Sequence, residues 1–353
     1  MKIALVHDDL VQWGGAERML SALSETFPEA PIYTLVYDEK NPFLKDQFKN
    51  KKIITSFLQK IPGWRSFFKV ILPLHPLAFE QFDFSEFDVV ISQTTRFAKS
   101  ILTKPQTKHI CYCHTPPRFL WNFSGERAPT LFSPYFNFLR RYDYLCSRRV
   151  DLWVAGSKNA QQRLKKVYGV ESSVIYPFAD LGNFNDLKTF DGGYLLAISR
   201  LISYKRVDLA VRVANKMRIP LKVVGAGSEL GALQKIAGPT VEFLGQVDEK
   251  TKLLLLSGCK ALVVGGEEDF GLTPLEAQAC GKPVVAYGEG GALESVIGGE
   301  TGYLFQHQTV ESLISALETL DKRGYNELKC RTEVGKFSRQ NFSRRFQEIV
   351  NSL

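Results

Sequence analysis

Two carboxylates, Glu268 and Glu276, stand eight residues apart in the run Glu267-Glu268-Asp269-Phe270-Gly271-Leu272-Thr273-Pro274-Leu275-Glu276. An apolar, strand-like segment (Ala261 to Val264) precedes them, and a helical pattern (Pro274 to Ala279) follows. A glycine turn and a helix start between two acids can gather carboxylates and unpaired backbone N–H groups around one polar ligand. Carboxylates accept from sugar or ribose hydroxyls and helix-end N–H groups meet phosphate, so a sugar nucleotide fits. The same run also reads as a capping box, with Thr273 at the N-cap, Pro274 at the first helical position and Glu276 at the third. On that second reading Glu276 is structural, and Glu267 to Asp269 form a solvated acidic turn.

Other chemistry-bearing residues follow strand-like runs. Arg200 comes after the run Leu195 to Ser199, and Lys205 five residues later, before a helical pattern. A planar fork and a mobile point charge could clamp a diphosphate and offset charge on its leaving oxygen. His114 lies beyond the run Lys108 to Tyr112, in a loop stiffened by Pro116 and Pro117 that leads to Arg118. His7 and Asp8 end the first run, and Gly14-Gly15-Ala16-Glu17 opens the first helix, where two glycines let backbone approach an oxyanion. His7, Asp8, Gly14 and Arg118 are expected to line a cleft, as are Gly290 and Gly291 in the loop Gly288-Glu289-Gly290-Gly291-Ala292. Val224-Gly225-Ala226-Gly227 is a G-x-G after a strand, but Leu230 stands where a third glycine would complete a dinucleotide fingerprint, which argues against a dehydrogenase.

The elements that must position these residues alternate. Lys2–His7, Pro31–Val36, Val89–Ser92, Lys108–Tyr112 and Leu152–Ala155 read as buried strands, with helices at Ala16–Thr26, Tyr135–Arg148 and Ala160–Tyr168 between them. Val174–Pro177 ends this series, and a polar link from Asp180 to Gly193 follows. A second series runs through Tyr194–Ser199, Leu221–Val224, Val241–Leu244, Ala261–Val264 and Pro283–Tyr287, with helices at Val207–Lys216 and Thr251–Ser257. Apolar runs without strict alternation, linked by helices, predict parallel sheets covered on both faces. The expected fold class is α/β, with two Rossmann-like doubly wound parallel-sheet domains facing across a cleft. Residues 1–178 form the first, basic domain and 179–335 the second. Residues 336–353 form a terminal helical segment that could pack back on the first.

Composition bounds the rest. The 353 residues exceed one ordinary core, and 44% apolar with 23% charged content describes a soluble globular chain. The N-terminus enters a strand at once and no apolar run reaches eighteen residues, which favours a cytoplasmic location. Six cysteines make no disulfide framework, and Cys111-Tyr112-Cys113-His114 lacks the second ligand pair of a zinc knuckle. The net charge of +8 lies wholly in residues 1–178, which hold 24 Lys/Arg against 16 Asp/Glu. Residues 40–70 carry eight of those bases and one acid, Asp46, interleaved with Trp64, Phe67 and Phe68. Such a segment offers a peripheral contact with an anionic membrane surface, or lines a cleft as an ordinary helix; nucleic acid lacks a supporting module.

Taken together these residues resemble the retaining glycosyltransferases of family 4 (group 1), which have the GT-B fold, over nearly the whole chain. Glu268-Asp269-Phe270-Gly271 with Glu276 is similar to the family's E-x7-E motif; Arg200, Lys205 and Gly14-Gly15-Ala16-Glu17 accompany it. With Cys113-His114-Thr115-Pro116-Pro117-Arg118-Phe119-Leu120-Trp121, the loop at Gly14 resembles a subset of mannosyltransferases of O-antigen and exopolysaccharide assembly. The resemblance implies that Arg200 and Lys205 bind the donor diphosphate and that Glu276 accepts from the ribose. It puts Glu268 beside the sugar's C3 and C4 hydroxyls, and His114 near its C6 hydroxyl and reacting face. Gly15 would shape the phosphate side, while Phe270, Gly271, Leu272, Thr273, Gly290 and Gly291 supply backbone donors. The implied activity is metal-independent transfer of a hexose, mannose from GDP-mannose first, to a glycan or polyprenyl-diphosphate-linked saccharide, with retention and by a front-face route. No cofactor is expected. A UDP-sugar-dependent transferase, a sugar-nucleotide epimerase or hydrolase, and a non-catalytic sugar-nucleotide-binding protein are the alternatives.

Overall fold

The short apolar runs become parallel strands of two separate sheets in a computed structural model, which describes residues 1–67, 71–126, 133–180 and 189–353. The chain divides into one unit of Met1–Pro177 with Arg339–Leu353 and another of Phe178–Ser338. In the first unit β1 (Ile3–His7), β2 (Ile32–Thr34), β3 (Ile53–Thr55), β4 (Val89–Thr94), β5 (Lys108–Cys113), β6 (Leu152–Ala155) and β7 (Ser173–Val174) lie in the order β3-β2-β1-β4-β5-β6-β7. In the second, β8 (Leu195–Ile198), β9 (Leu221–Val224), β10 (Val241–Gly245), β11 (Ala261–Val264), β12 (Val284–Tyr287) and β13 (Gly302–Phe305) follow the order β10-β9-β8-β11-β12-β13. Each sheet grows outward in one direction and then restarts beside its first strand. The order therefore reverses between β1 and β4, and again between β8 and β11, and ligands of such sheets sit beyond the strand ends at these points.

Both sheets are sealed by apolar side chains. Ala4, Val6 and Val90 meet Phe79, Phe82, Phe84 and Phe87 in the first unit, while Leu195, Ala197, Val223 and Val263 meet Val207, Val211 and Leu317 in the second. The helix Arg339–Asn351 belongs to the first unit: Phe342 and Phe346 pack edge-on to Tyr112 of β5, at 5.7 and 5.4 Å between ring centroids. The second unit runs past the expected end at 335 because Phe337 is buried against Phe270 (5.3 Å), and its carbonyl accepts from the Ala179 N–H.

Several expectations need correction. The sequence reading lacks β3 and β13, both edge strands of three or four residues beside charged or glycine-rich flanks that read as loop. β2 ends at Thr34 instead of Val36, because the chain peels off to pair Leu10 with Tyr37. The described part of residues 40–70 is broken into several short elements. It contains the helix Pro42–Gln47, β3, a tight turn at Phe57–Lys60 and the one-turn helix Trp64–Phe67. Leu58 and Trp64 are buried there, Lys51 donates to the Pro28 carbonyl at 2.9 Å, and Arg65 pairs with Asp38. Phe68 and Lys69 lie outside the described residues, as does much of the polar link. Among the described residues no helix is long and apolar enough to cross a membrane.

Candidate functional site

In the second unit the site residues collect where the strand order reverses. Arg200 leaves the end of β8 and Glu268 the end of β11, and these strands are hydrogen-bonded neighbours. Lys205 closes a tight turn (Ser203–Lys205) before the helix Val207–Met217, and its ammonium is held by both carboxylate oxygens of Glu268. The pair is well shielded, with side chains 12% and 17% exposed. Gly265 and Gly266 make this contact possible. A Cβ on Gly266 would stand 2.2 Å from the Tyr204 carbonyl oxygen and 2.8 Å from Lys205 Cα. One on Gly265 would stand 2.4 Å from the Arg206 carbonyl oxygen. Arg200 is exposed, and its guanidinium reaches the Tyr204 hydroxyl at 3.4 Å. Arg206 turns away to Asp208.

The G-x-G at Gly225-Ala226-Gly227 serves the same loop. A side chain on Gly225 would strike the Ser199 carbonyl at 1.9 Å, and one on Gly227 the Leu201 carbonyl at 2.2 Å. The Leu201 N–H donates to Ala226, and the Glu229 N–H donates to Leu201. These glycines let β9's loop press against the backbone carrying Arg200, a packing duty in place of a phosphate cradle.

The capping box is not formed. The helix spans Leu272–Ala279 and starts two residues before Pro274, with Gly271 at its N-cap at φ +88°, a conformation that favours glycine, and no side-chain cap. Leu272 and Thr273 therefore lie in the first turn, where N–H groups have no intrahelical partner. Glu276 is buried and is met by Lys252 Nζ at 2.8 Å, from the helix Glu249–Gly258. Lys252 also reaches Glu249 at 2.9 Å. Glu268 continues the β11–β12 pairing as a bridge to Gly290, and its carbonyl accepts the Gly291 N–H at 2.8 Å. Gly291 is thus spent on positioning Glu268 and Phe270 and does not offer the expected backbone donor.

The first unit holds its own cluster at the ends of β1, β4 and β5, neighbours in the sheet. His7 pairs in register with Gln93, and Gln93 with Tyr112, so the His114 loop starts beside both. The Gln93 side-chain nitrogen donates to the Ala16 carbonyl at 2.6 Å and lies 2.6 Å from His114 Nε2. Ala16's oxygen can only accept, which fixes the amide orientation; His114 Nε2 must then accept, leaving its proton on Nδ1. Gly14 caps the helix Gly15–Thr26 in extended conformation, so Gly15 opens that helix. Buried Glu17 approaches His7 Nε2 at 3.8 Å. Asp8 does structural work: its carboxylate accepts the N–H groups of Thr95, Arg96, Phe97 and Ala98 at 2.6 to 2.9 Å. Burial opposes its ionisation, but the Arg96 charge and these backbone donors prevail and hold its pKa below the ordinary value. Arg118 meets Glu126 at 3.5 Å. Cys111 and Cys113 lie inside β5, where burial pushes the Cys111 thiol up to about 12.

Sequence reasoning missed Gln93, Lys252 and the Gly265-Gly266 pair, and assigned Glu17 no role. Only the two glycines left a signal, a doublet directly after a strand.

Two family models match the chain: Glycosyltransferase Family 4 over residues 13–183, and Glycosyl transferases group 1 over residues 184–339. The alpha-1,3/1,6-mannosyltransferase ALG2 of Mus musculus is 25% identical over 87% of this chain and 85% of its own. The Dictyostelium discoideum protein of that name is 24% identical, covering 100% and 98%. Anabaena Alr3699/HepE, solved with UDP and glucose, superposes with a TM-score of 0.75 at 19% identity over the whole of both chains. Sucrose-phosphate synthase from Thermosynechococcus elongatus superposes at 0.77 and 17% identity, over 100% and 99%. These likenesses show the fold, GT-B with two Rossmann-like parallel sheets. The two models together run from residue 13 to 339, across every strand except β1 and every residue of the Lys205–Glu268 site. The chain belongs to the group 1, family 4 glycosyltransferases and is a hexosyltransferase.

Proposed function

We propose that this glycosyltransferase moves mannose from a nucleoside-diphosphate sugar, GDP-mannose in first place, to a hydroxyl of a glycan or polyprenyl-diphosphate-linked saccharide, with retention. The observation that carries the reading is the shielded Lys205–Glu268 pair beside Arg200 at the order reversal of the second sheet. An anionic diphosphate competes with Glu268 for Lys205, and the released carboxylate can then accept from sugar hydroxyls. Similarity to mannosyltransferases over most of the chain favours mannose.

In the front-face step the bond from the anomeric carbon to the β-phosphate oxygen breaks while the acceptor oxygen bonds to the same face of that carbon. The acceptor proton passes to the departing phosphate oxygen. Arg200 and Lys205 stabilise the negative charge there, the part a metal ion plays elsewhere. Glu276, oriented by Lys252, accepts from the ribose. A polyprenyl-linked acceptor would bring the protein to the cytoplasmic face of a membrane as a peripheral component.

Nucleotide release from GDP-mannose, UDP-glucose, UDP-galactose and UDP-N-acetylglucosamine, with EDTA and with or without lipid-linked acceptors, tests this reading. Acceptor-stimulated GDP release, with an α-linked product by NMR, is expected. Consumption of a UDP-sugar alone overturns the mannose assignment, and a requirement for a divalent cation overturns the metal-free mechanism.

A further inference from the structure

The helix Ser133–Ser147 in the first unit presents an outward stripe that nothing in the transfer chemistry uses. Phe138, Arg141 and Leu145 recur at spacings of three and four residues, which places them along one helix face, and Arg148 follows in the turn that ends the helix, its N–H donating to the Leu145 carbonyl. Phe138 and Leu145 are 61% and 62% exposed, and Tyr144 is also exposed. The patch extends beyond one helix. Tyr142 stands one turn from both Phe138 and Leu145, and its hydroxyl donates to Glu80. Glu80 ends the helix Leu74–Glu80, and Leu77, one turn earlier, is 51% exposed.

Charge at this surface has one sign. Between Glu126 and Asp151 the only acid in the sequence is Asp143. That residue is fully buried, bound by Lys99, by Trp121 Nε1 at 2.8 Å and by the Tyr168 hydroxyl at 2.6 Å. Glu80 is neutralised by Arg149 at 2.6 Å. Arg148 lies over the Tyr144 ring at 5.2 Å, and both remain exposed. A face of large apolar side chains interleaved with arginines, from which acids are removed, matches a bilayer with anionic headgroups: rings and leucines enter the acyl boundary while guanidiniums meet phosphates. A protein partner would be matched by area and shape, and would not require the lack of acids.

We propose that the stripe Phe138-Arg141-Tyr144-Leu145-Arg148, with Leu77 beside it, is the surface by which this enzyme docks on anionic membranes. The segment 40–70 buries Leu58 and Trp64 but exposes Phe43, and is a separate surface from this stripe. The proposal locates the membrane contact and does not depend on which donor or acceptor the enzyme uses.

Co-sedimentation of the full chain with phosphatidylglycerol/phosphatidylcholine vesicles tests it. Wild type should bind, weakly in high salt, and hardly at all to phosphatidylcholine alone. Arg141→Gln with Arg148→Gln should weaken binding by about 25-fold, roughly fivefold for each arginine at about 1 kcal/mol apiece. Phe138→Ser with Leu145→Ser should weaken it by at least about tenfold, since two apolar anchors are lost. Lys45→Gln, on the 40–70 segment, should retain more than half of wild-type binding, and all variants should keep wild-type nucleotide release with a water-soluble acceptor. Unchanged vesicle binding in both double variants overturns the proposal. So does a stripe-dependent dimer in wild type that ignores vesicles. Vesicle binding that follows this pattern in a protein that releases no nucleotide would uphold the docking surface while the transfer reading fails.

Discussion

Lys205 and Glu268, sixty-three residues apart in sequence, form a two-oxygen ion pair at the point where β8 and β11 part. The cation expected to hold a diphosphate is therefore already engaged by the carboxylate expected to hold the sugar. The pair is electrostatically satisfied at rest, and under the proposed function donor binding would exchange one anion for another.

Removing either member should be costly in a characteristic way. Lys205→Ala should lower kcat about 10²–10³-fold, as loss of a transition-state charge stabiliser does. Glu268→Gln leaves the lysine free for phosphate and should spare nucleotide affinity while lowering turnover. The double variant should lose less than the product of the two single losses, because the two groups are coupled. Nucleotide release at saturating donor measures all three; strictly multiplicative losses would break the link between them.

The glycine doublet behind the pair offers a test of positioning. Gly266→Ala forces a Cβ against the Tyr204 carbonyl and Lys205 Cα, so the turn must move. A displacement of about 1 Å at a charge clamp is worth roughly 10²-fold in rate. Gly231→Ala, in a helix with nothing within 4 Å of the added Cβ, should leave activity intact and gain about 0.5–1 kcal/mol of stability. Equal activity in the two variants would show that the turn does not set Lys205.

Glu276 and Lys252 make a third test. Lys252→Met removes the ammonium that meets a buried carboxylate, which should cost about 3 kcal/mol in urea unfolding and weaken donor binding. Adding Glu276→Gln should restore most of the stability without restoring binding. Calorimetric titration with nucleotide separates the two effects, and recovery of binding in the double variant would exclude a ribose contact by Glu276.

Stability should fall in mild acid through His109. Burial inside the sheet lowers its pKa from the ordinary 6.5 to about 4, outweighing the Arg149 carbonyl near Nδ1 (3.2 Å) and the Asp151 charge, which both raise it; Nε2 meets the Ser92 hydroxyl at 2.7 Å. Below 6.5 the unfolded chain binds a proton that the folded chain refuses, so stability is complete above 6.5 and is lost as pH falls toward 4. About 2 kcal/mol should disappear between pH 7 and 5. His109→Gln should flatten that slope in urea titrations; an unchanged slope would assign the acid sensitivity to other groups.

How much of this was legible beforehand follows from the range of the forces involved. The βα alternation, the helix after Gly271 and the loops bearing Arg200, Lys205, His114 and Glu268 were readable because burial of short apolar runs leaves a local pattern. β3 and β13 escaped because a three- or four-residue edge strand is defined by its neighbour's hydrogen bonds and not by its own pattern. Glu276 looked like a cap because Thr-Pro-Leu-Glu satisfies the local rule; the helix starts earlier, and a lysine from another helix claims the carboxylate.

By itself, then, the sequence determined the alternation of strands and helices and which loops carry the charged residues, since hydrophobic periodicity and glycine placement act over a few residues. Only the tertiary structure decided the pairings: Lys205 with Glu268, Lys252 with Glu276, Gln93 with His114, and the terminal phenylalanines with Tyr112. Each depends on strand order and on close backbone approach between distant segments, which the chain acquires only when the sheet assembles.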